Sequence, residues 1–142
     1  MGEYNRILRK IRTLAIITVF FNVILFLIFG VMAFENTAYI VPSYQTVISI
    51  YIMALIATAS SELTDNHLFT KTVVGYLKKI SYACFVKGIG GSVLGTLITS
   101  ITKGKVSIVL HLTALGVGIL LYVGSFIYEY GCELEEEYHL TV

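Results

Sequence analysis

The sequence predicts an all-α fold, an integral membrane four-helix bundle with both termini cytoplasmic, and three observations carry that reading. Residues 14–34, 36–61, 80–102 and 106–128 form four long apolar stretches that hold one lysine, one histidine and no carboxylate between them. The 142-residue chain is 56% hydrophobic with a net charge of +1, and its mean hydropathy is +0.82. A hydrocarbon core about 30 Å thick takes about 20 apolar residues in helical form, and a backbone in lipid has to satisfy its own hydrogen bonds, so helices are the expected spans. The third observation is charge asymmetry. Arg6, Arg9, Lys10 and Arg12 precede the first stretch and Lys71, Lys78 and Lys79 precede the third, whereas only Lys103 and Lys105 flank the opposite ends. Cytoplasmic flanks carry such an excess of Lys and Arg.

With four spans drawn, residues 1–142 read as a single domain with no room for another. The first apolar run is too long for a signal-peptide core, shows no small-x-small pattern before Glu35, and reads as a retained helix. Cys84 lies in a span and Cys132 in the tail, so they make no disulfide framework. In the absence of Trp, tyrosines near the span ends, among them Tyr39, Tyr44, Tyr76, Tyr128 and Tyr130, form the expected interfacial belt.

In chain order, Ile7, Leu8, Ile11 and Leu14 recur at helical spacing among the arginines, and residues 1–13 are expected to lie on the anionic inner leaflet before turning inward. Span one, 14–34, carries Asn22 as its strongly polar residue. Residues 35–44 form a short outer loop, and Pro42 is placed to start helix two, 42–61, because the N–H it lacks is unpaired there anyway. Ser60, Ser61, Glu62, Asp65 and Asn66 end that span and open an inner loop, with Thr70 as a candidate N-cap. Val73, Val74, Leu77 and Ile80 share one face while the lysines take others, which gives 71–79 an interfacial amphipathic segment running into span three, 80–102. A tight Lys103-Gly104-Lys105 turn leads to span four, 106–128. An acidic tail, 129–142, closes the chain.

Lys87 is the one charge inside a span, about 12 Å along the helix from Lys79. It has two readings: a lysine that snorkels toward the inner boundary or makes a structural hydrogen bond, and an ammonium held inside the bundle, able to bind an anion or relay a proton. Counting inward from the cytoplasmic ends puts Asn22 and Tyr122 near its depth, so Asn22, Lys87, Tyr122 and Ser125 form a candidate intramembrane polar cluster. At 100° per residue, Cys84, Gly88, Gly91, Gly95 and Thr99 share a face of span three. His111, Ala114, Gly118, Tyr122 and Ser125 share one on span four. Small residues let helices approach closely in lipid, so these two faces are expected to pack on each other, with a homodimer seam as the alternative. His111 reads as a structural, hydrogen-bonded histidine. No nucleophile triad, phosphate-cradling glycine loop, zinc spacing or paired intramembrane carboxylate occurs, so no catalytic residue, metal or cofactor is expected and the chain reads as no enzyme.

Two short segments carry a resemblance: Phe69, Thr70 and Thr72 leading to Leu77-Lys78-Lys79-Ile80-Ser81-Tyr82, and the C-terminal run from Gly131-Cys132-Glu133-Leu134 through Glu135-Glu136-Glu137 to Val142. With four spans around them, the chain resembles a family of small bacterial four-span membrane proteins of unknown function, often encoded beside a Cro-like helix-turn-helix regulator. The resemblance implies a multi-pass protein of the bacterial inner membrane. Three functions follow as expectations. The first is a non-enzymatic interaction or regulatory component whose tail, through Glu133, Glu135, Glu136 and Glu137, tethers a cytoplasmic regulator or membrane-protein partner without touching nucleic acid itself. The others are a channel or transporter protomer passing an anion or proton by Lys87, and an immunity or accessory subunit of a membrane complex. Membrane lipid is the partner common to all three, and a homo-oligomer is compatible with each.

Overall fold

The computed structural model describes residues 2–63, 71–105 and 108–141, and it is built of four long helices. Helix α1 spans Gly2–Glu35, α2 Ile40–Glu62, α3 Lys71–Lys103 and α4 Leu112–Thr141, with a short 3-10 helix at Thr37–Tyr39. Each helix is long and apolar enough to cross a bilayer. At 1.5 Å per residue α1 and α3 run to about 50 Å and α4 to about 45 Å, well beyond a hydrocarbon core of about 30 Å. The excess of all three projects at the end that carries the termini.

Of the three connections in the up-and-down order, the first and the start of the third lie within the described residues. Asn36 caps the 3-10 turn, its side-chain oxygen accepting from the Ala38 N–H at 2.9 Å. Gly104 follows α3 with φ +63°, the left-handed conformation that closes a helix and favours glycine. Residues 64–70 join α2 to α3, and the Thr70 cap and the Asp65-Asn66 loop lie outside the described residues, as does Val106, the expected start of span four.

Sequence expectation and structure part at three places, the N-terminal segment, Pro42 and the start of α4. The basic N-terminal segment does not turn onto a surface; it is the first three turns of a continuous α1. Pro42 is the third residue of α2 rather than its first, still within the turn whose N–H groups lack helical acceptors. The 71–79 segment and span three are one helix. The acidic tail is helical through Thr141, and α4 begins at Leu112, later than the apolar run suggests.

Helices pack in chain order, α1 on α2, α2 on α3 and α3 on α4, and the bundle is open between α1 and α4, which make no Cα approach within 8 Å. What is buried is mostly small, Ala15, Thr46, Ser60, Ser81, Ala83, Cys84, Ser125 and Cys132 beside the larger Leu8 and Val74, with Ser81 and Ser125 fully enclosed. What is exposed is large and apolar, as at Phe20, Phe34, Leu120 and Ile127. That inversion suits lipid, where tails compete equally for apolar surface and helices associate through close backbone approach and interhelical hydrogen bonds. The Ser81 hydroxyl supplies one such bond, donating to the Gly118 carbonyl at 2.8 Å.

The α3–α4 contact runs along the expected small-residue face. A Cβ on Gly88 would sit 2.7 Å from Leu115 Cγ and 3.1 Å from its backbone N, and one on Gly118 would meet Phe85 at 3.2 Å and Cys84 Cβ at 3.3 Å. Gly116, by contrast, faces open space. Gly88→Ala is therefore expected to lower the melting temperature in detergent, by an overpacking penalty of about 1–3 kcal/mol. Gly116→Ala should leave it unchanged or raise it. Thermal unfolding of the two variants checks the pair, and equal effects would deny the close approach.

Candidate functional site

The break before α4 sets up the site. Residues 108–111 are not helical and run beside α3. The Val109 N–H donates to Thr96 Oγ1 at 3.0 Å, and the His111 N–H donates to Ser92 Oγ at 3.0 Å. Thr96 and Ser92 lie seven and eleven residues before Lys103, about 10 and 16 Å along the helix, deep within its apolar length. Non-helical backbone is tolerated at such depth only when protein or a cavity satisfies it. Here two hydroxyls take the role of the missing helical acceptors. The G-x-x-x-G pair serves this segment, since Gly91 packs under His111 and Gly95 under Val109, where a Cβ would come within 3.0 and 3.1 Å.

From the other side α2 binds the same stretch of α3 through three polar contacts. The Tyr44 hydroxyl donates to the Val86 carbonyl at 2.5 Å, and the Gln45 amide donates to the Lys87 carbonyl at 3.3 Å. Both carbonyls belong to an α-helix whose ordinary side chains would screen them. Gly90 and Gly91 leave them open: a Cβ at Gly90 would collide with the Tyr44 hydroxyl and one at Gly91 with Gln45 Nε2. The third contact is a charge-assisted hydrogen bond. Lys87 Nζ donates to Ser49 Oγ at 2.8 Å, and Ser49 in turn donates to the Gln45 carbonyl at 2.9 Å.

These contacts border a cavity of about 470 Å³ between α2, α3 and the start of α4, with Gln45, Lys87 and His111 as its polar walls and Ile52 and Val117 among its apolar ones. The His111 Nε2 atom is buried without a hydrogen-bond partner among the described residues. Such an atom costs free energy comparable to a lost hydrogen bond. No group of three His, Cys, Asp or Glu side chains converges anywhere among the described residues.

The four residues expected as one polar cluster do not come together. Lys87 reaches Ser49 on α2. Asn22 donates to the Thr18 carbonyl of its own helix at 2.8 Å, and Ser125 donates to the Tyr122 carbonyl at 2.6 Å. The Tyr122 ring packs edge-on to Phe126, centroids 4.9 Å apart, and lies near Phe85 and Tyr82. Of the packing set, Cys84, Gly88, Gly91, Gly95 and Gly118 are buried, while Thr99 and Ala114 are half-buried. The sequence reading takes Tyr44 only as a belt tyrosine and misses Gln45, Ser49, Gly90, Ser92 and Thr96, though polar residues at i and i+4 on α2 and α3 are the available signal.

At the end that holds the termini, the tail packs on α3. Lys78 Nζ meets Glu129 Oε2 at 3.2 Å and Lys71 meets Glu136 at 3.5 Å, while Glu135 lies 3.8 Å from His139 one turn on. Lys78 also sits over the Phe126 ring. The Tyr76 hydroxyl donates to Glu62 at 2.8 Å, and that bond, with burial and the carboxylate charge, holds its pKa above the ordinary phenol value. Cys132 faces α3 and is only 4% exposed. Burial pushes its thiol up, Glu135 and Glu136 add to the rise, and Lys71 opposes it. The opposite side of the helix presents Tyr130, Leu134 and Tyr138 to solvent at i, i+4 and i+8, 62%, 47% and 68% exposed.

Two measurements test this geometry. Removing both acceptors with Ser92→Ala and Thr96→Val strands two part-buried N–H groups, at up to about 1–3 kcal/mol each, so the double variant should melt lower and the amides of Val109 and His111 should exchange faster. Unchanged exchange would deny the pinning. Enclosure and a raised pKa should make Cys132 alkylate at least about tenfold more slowly than a cysteine placed by Glu133→Cys at pH 7.5, because the thiolate is the nucleophile. Since the folded thiol keeps its proton to higher pH than the unfolded one, this group subtracts stability as pH rises past about 8.5. Equal alkylation rates would contradict the burial.

In comparisons with protein-family models, curated proteins and solved structures, none matches the chain, and the chemistry of these two regions rests on their own geometry.

Proposed function

We propose that this chain is a multi-pass protein of the bacterial inner membrane, both termini cytoplasmic, that docks a soluble partner on the projecting end of α4. The seven basic residues at the terminal end against two at the other support the orientation. One observation carries the docking role: α4 continues about 20 Å past the apolar spans as a helix braced on α3, and its exposed side combines Tyr130, Leu134 and Tyr138 with Glu133. An apolar stripe outside the membrane is a recognition surface of the helix-in-groove kind. Lipid does not suit it, because the inner leaflet is anionic and repels an acidic helix. The partner is a protein with an apolar groove and a basic rim. The basic surface of a DNA-binding regulator, the neighbour that the family resemblance implies, has that chemistry.

The bracing changes what the glutamates do. Glu129 and Glu136 hold the helix upright against Lys78 and Lys71, and Glu133 sits beside the stripe as a rim charge, which governs encounter rate and salt dependence more than affinity.

Leu134→Glu places a charge in the middle of the stripe without touching the braced face. In nanodiscs, the wild-type protein should retain a defined cytoplasmic partner that Leu134→Glu loses, with wild-type retention falling as salt is raised to about 0.5 M, where exposed charges are screened within a few ångströms. Retention by Leu134→Glu of the same partner at the same salt would end the docking reading.

A further inference from the structure

We infer that the cavity at the break before α4 is a binding site for an organic monocarboxylate with an apolar body, its carboxylate held by Lys87 and its body by Ile52 and Val117.

Charge comes first. The chain has no Asp or Glu between Asp65 and Glu129, and none in 14–34 or 36–61, so no carboxylate of its own stands at the depth of Lys87. An ammonium has three donors, and Ser49 takes one. The remaining donors border a cavity that also receives the start of α4, where Leu112, Thr113 and Ala114 precede the first helical acceptor and their N–H groups lie at the positive end of a 30-residue helix. The His111 ring closes part of the same wall. A lone cation and the first N–H groups of α4 therefore border one space.

Size and valence select the ligand class. A cavity of about 470 Å³ is in the range of small-molecule sites and far larger than a halide needs. One full positive charge balances a monoanion, whereas a phosphate dianion would leave a net charge in apolar surroundings, a costly arrangement. Planar carboxylate oxygens accept from an ammonium and from N–H groups at once. The apolar lining then sets the remainder of the molecule. Such a carboxylate can arrive from water, as a short or aromatic acid, or from the bilayer, as a fatty acid.

The test uses the full chain in phosphatidylcholine nanodiscs and titration calorimetry with benzoate, octanoate and palmitate, with neutral benzamide as the charge control. At least one carboxylate should bind saturably, and benzoate, where it binds, should exceed benzamide by about 10- to 100-fold, the worth of a charge-assisted hydrogen bond. Binding of benzoate or octanoate alone assigns a water-borne ligand, and binding of palmitate alone a lipid-borne one. Lys87→Met should weaken the bound carboxylate by a similar factor while the protein stays folded, because an apolar isostere of a buried charge is tolerated. Val117→Phe, which fills the cavity and leaves Lys87 in place, should also weaken it. Leu134→Glu should not change it, which separates this site from the docking stripe. No saturable carboxylate binding, benzamide equal to benzoate, or a Lys87→Met protein that binds as the wild type would each overturn the inference.

Discussion

The fold is organised by two sides of α3. The 108–111 segment and α4 pack on Ser81, Cys84, Gly88, Gly91, Ser92 and Gly95, α2 packs where Gly90 and Gly91 bare the backbone, and α1 packs on α2 and the 3-10 turn. In lipid no hydrophobic drive holds helices together, so attraction has to come from close van der Waals contact and polar bonds between them. Small residues provide the first and serine hydroxyls the second. A Cβ at Gly88 or Gly91 removes the space in which Leu115, His111 and Gln45 sit, and with it the geometry of both neighbours.

Glycine has a second use on the same helix, which concerns hydrogen bonding more than distance. Helical carbonyls have a second lone pair, and a side chain from a neighbouring helix can use it if nothing screens it. Gly90 and Gly91 leave the Val86 and Lys87 carbonyls open to Tyr44 and Gln45. Ser92 and Thr96 then do the converse for the extended 108–111 segment, lending oxygen acceptors to backbone that has left the helix. The polar side chains of α2 and α3 are thus consumed in holding an irregular join in apolar surroundings.

Much of this was legible in the sequence, and the failures share a cause. Hydropathy located all four helices, and the 100° periodicity found Cys84, Gly88, Gly91 and Gly95 because packing in lipid selects small residues at that spacing. The start of α4 at Leu112 was not legible: the run from Val106 is apolar whether extended or helical, and the reason it is extended lies on α3, in two hydroxyls. Lys87 was matched to Asn22 and Tyr122 by depth alone, yet a bond also needs the right side of the helix, where Ser49 stands and Asn22 does not. The packing of the tail on α3 is not legible because Lys78 and Lys71, the partners of Glu129 and Glu136, are about 50 to 65 residues away in sequence. The enclosure of Cys132 accompanies that packing, while the two pairs, largely exposed, contribute little.

The distribution of exceptions is itself informative. Over most of its length the chain obeys local rules: helices are unbroken, charges lie outside the apolar spans, and most buried hydroxyls find carbonyls within a turn, Ser81 bonding across to Gly118 instead. Three rules fail, and they fail together: the fourth helix starts late, Lys87 stands in an apolar span without a carboxylate, and His111 keeps an unpartnered ring nitrogen. Each costs free energy that a purely structural four-helix bundle could have avoided, by an apolar residue at position 87, an apolar one at 111 and a helix running to the Gly104 turn. Local conflicts in natural sequences concentrate where function imposes them, and intramembrane ionisable residues mark such places. The first two meet at one cavity beside α3, which is the physical reason to look for a ligand there, since one bound anion would pair the lone charge and meet the first N–H groups of α4.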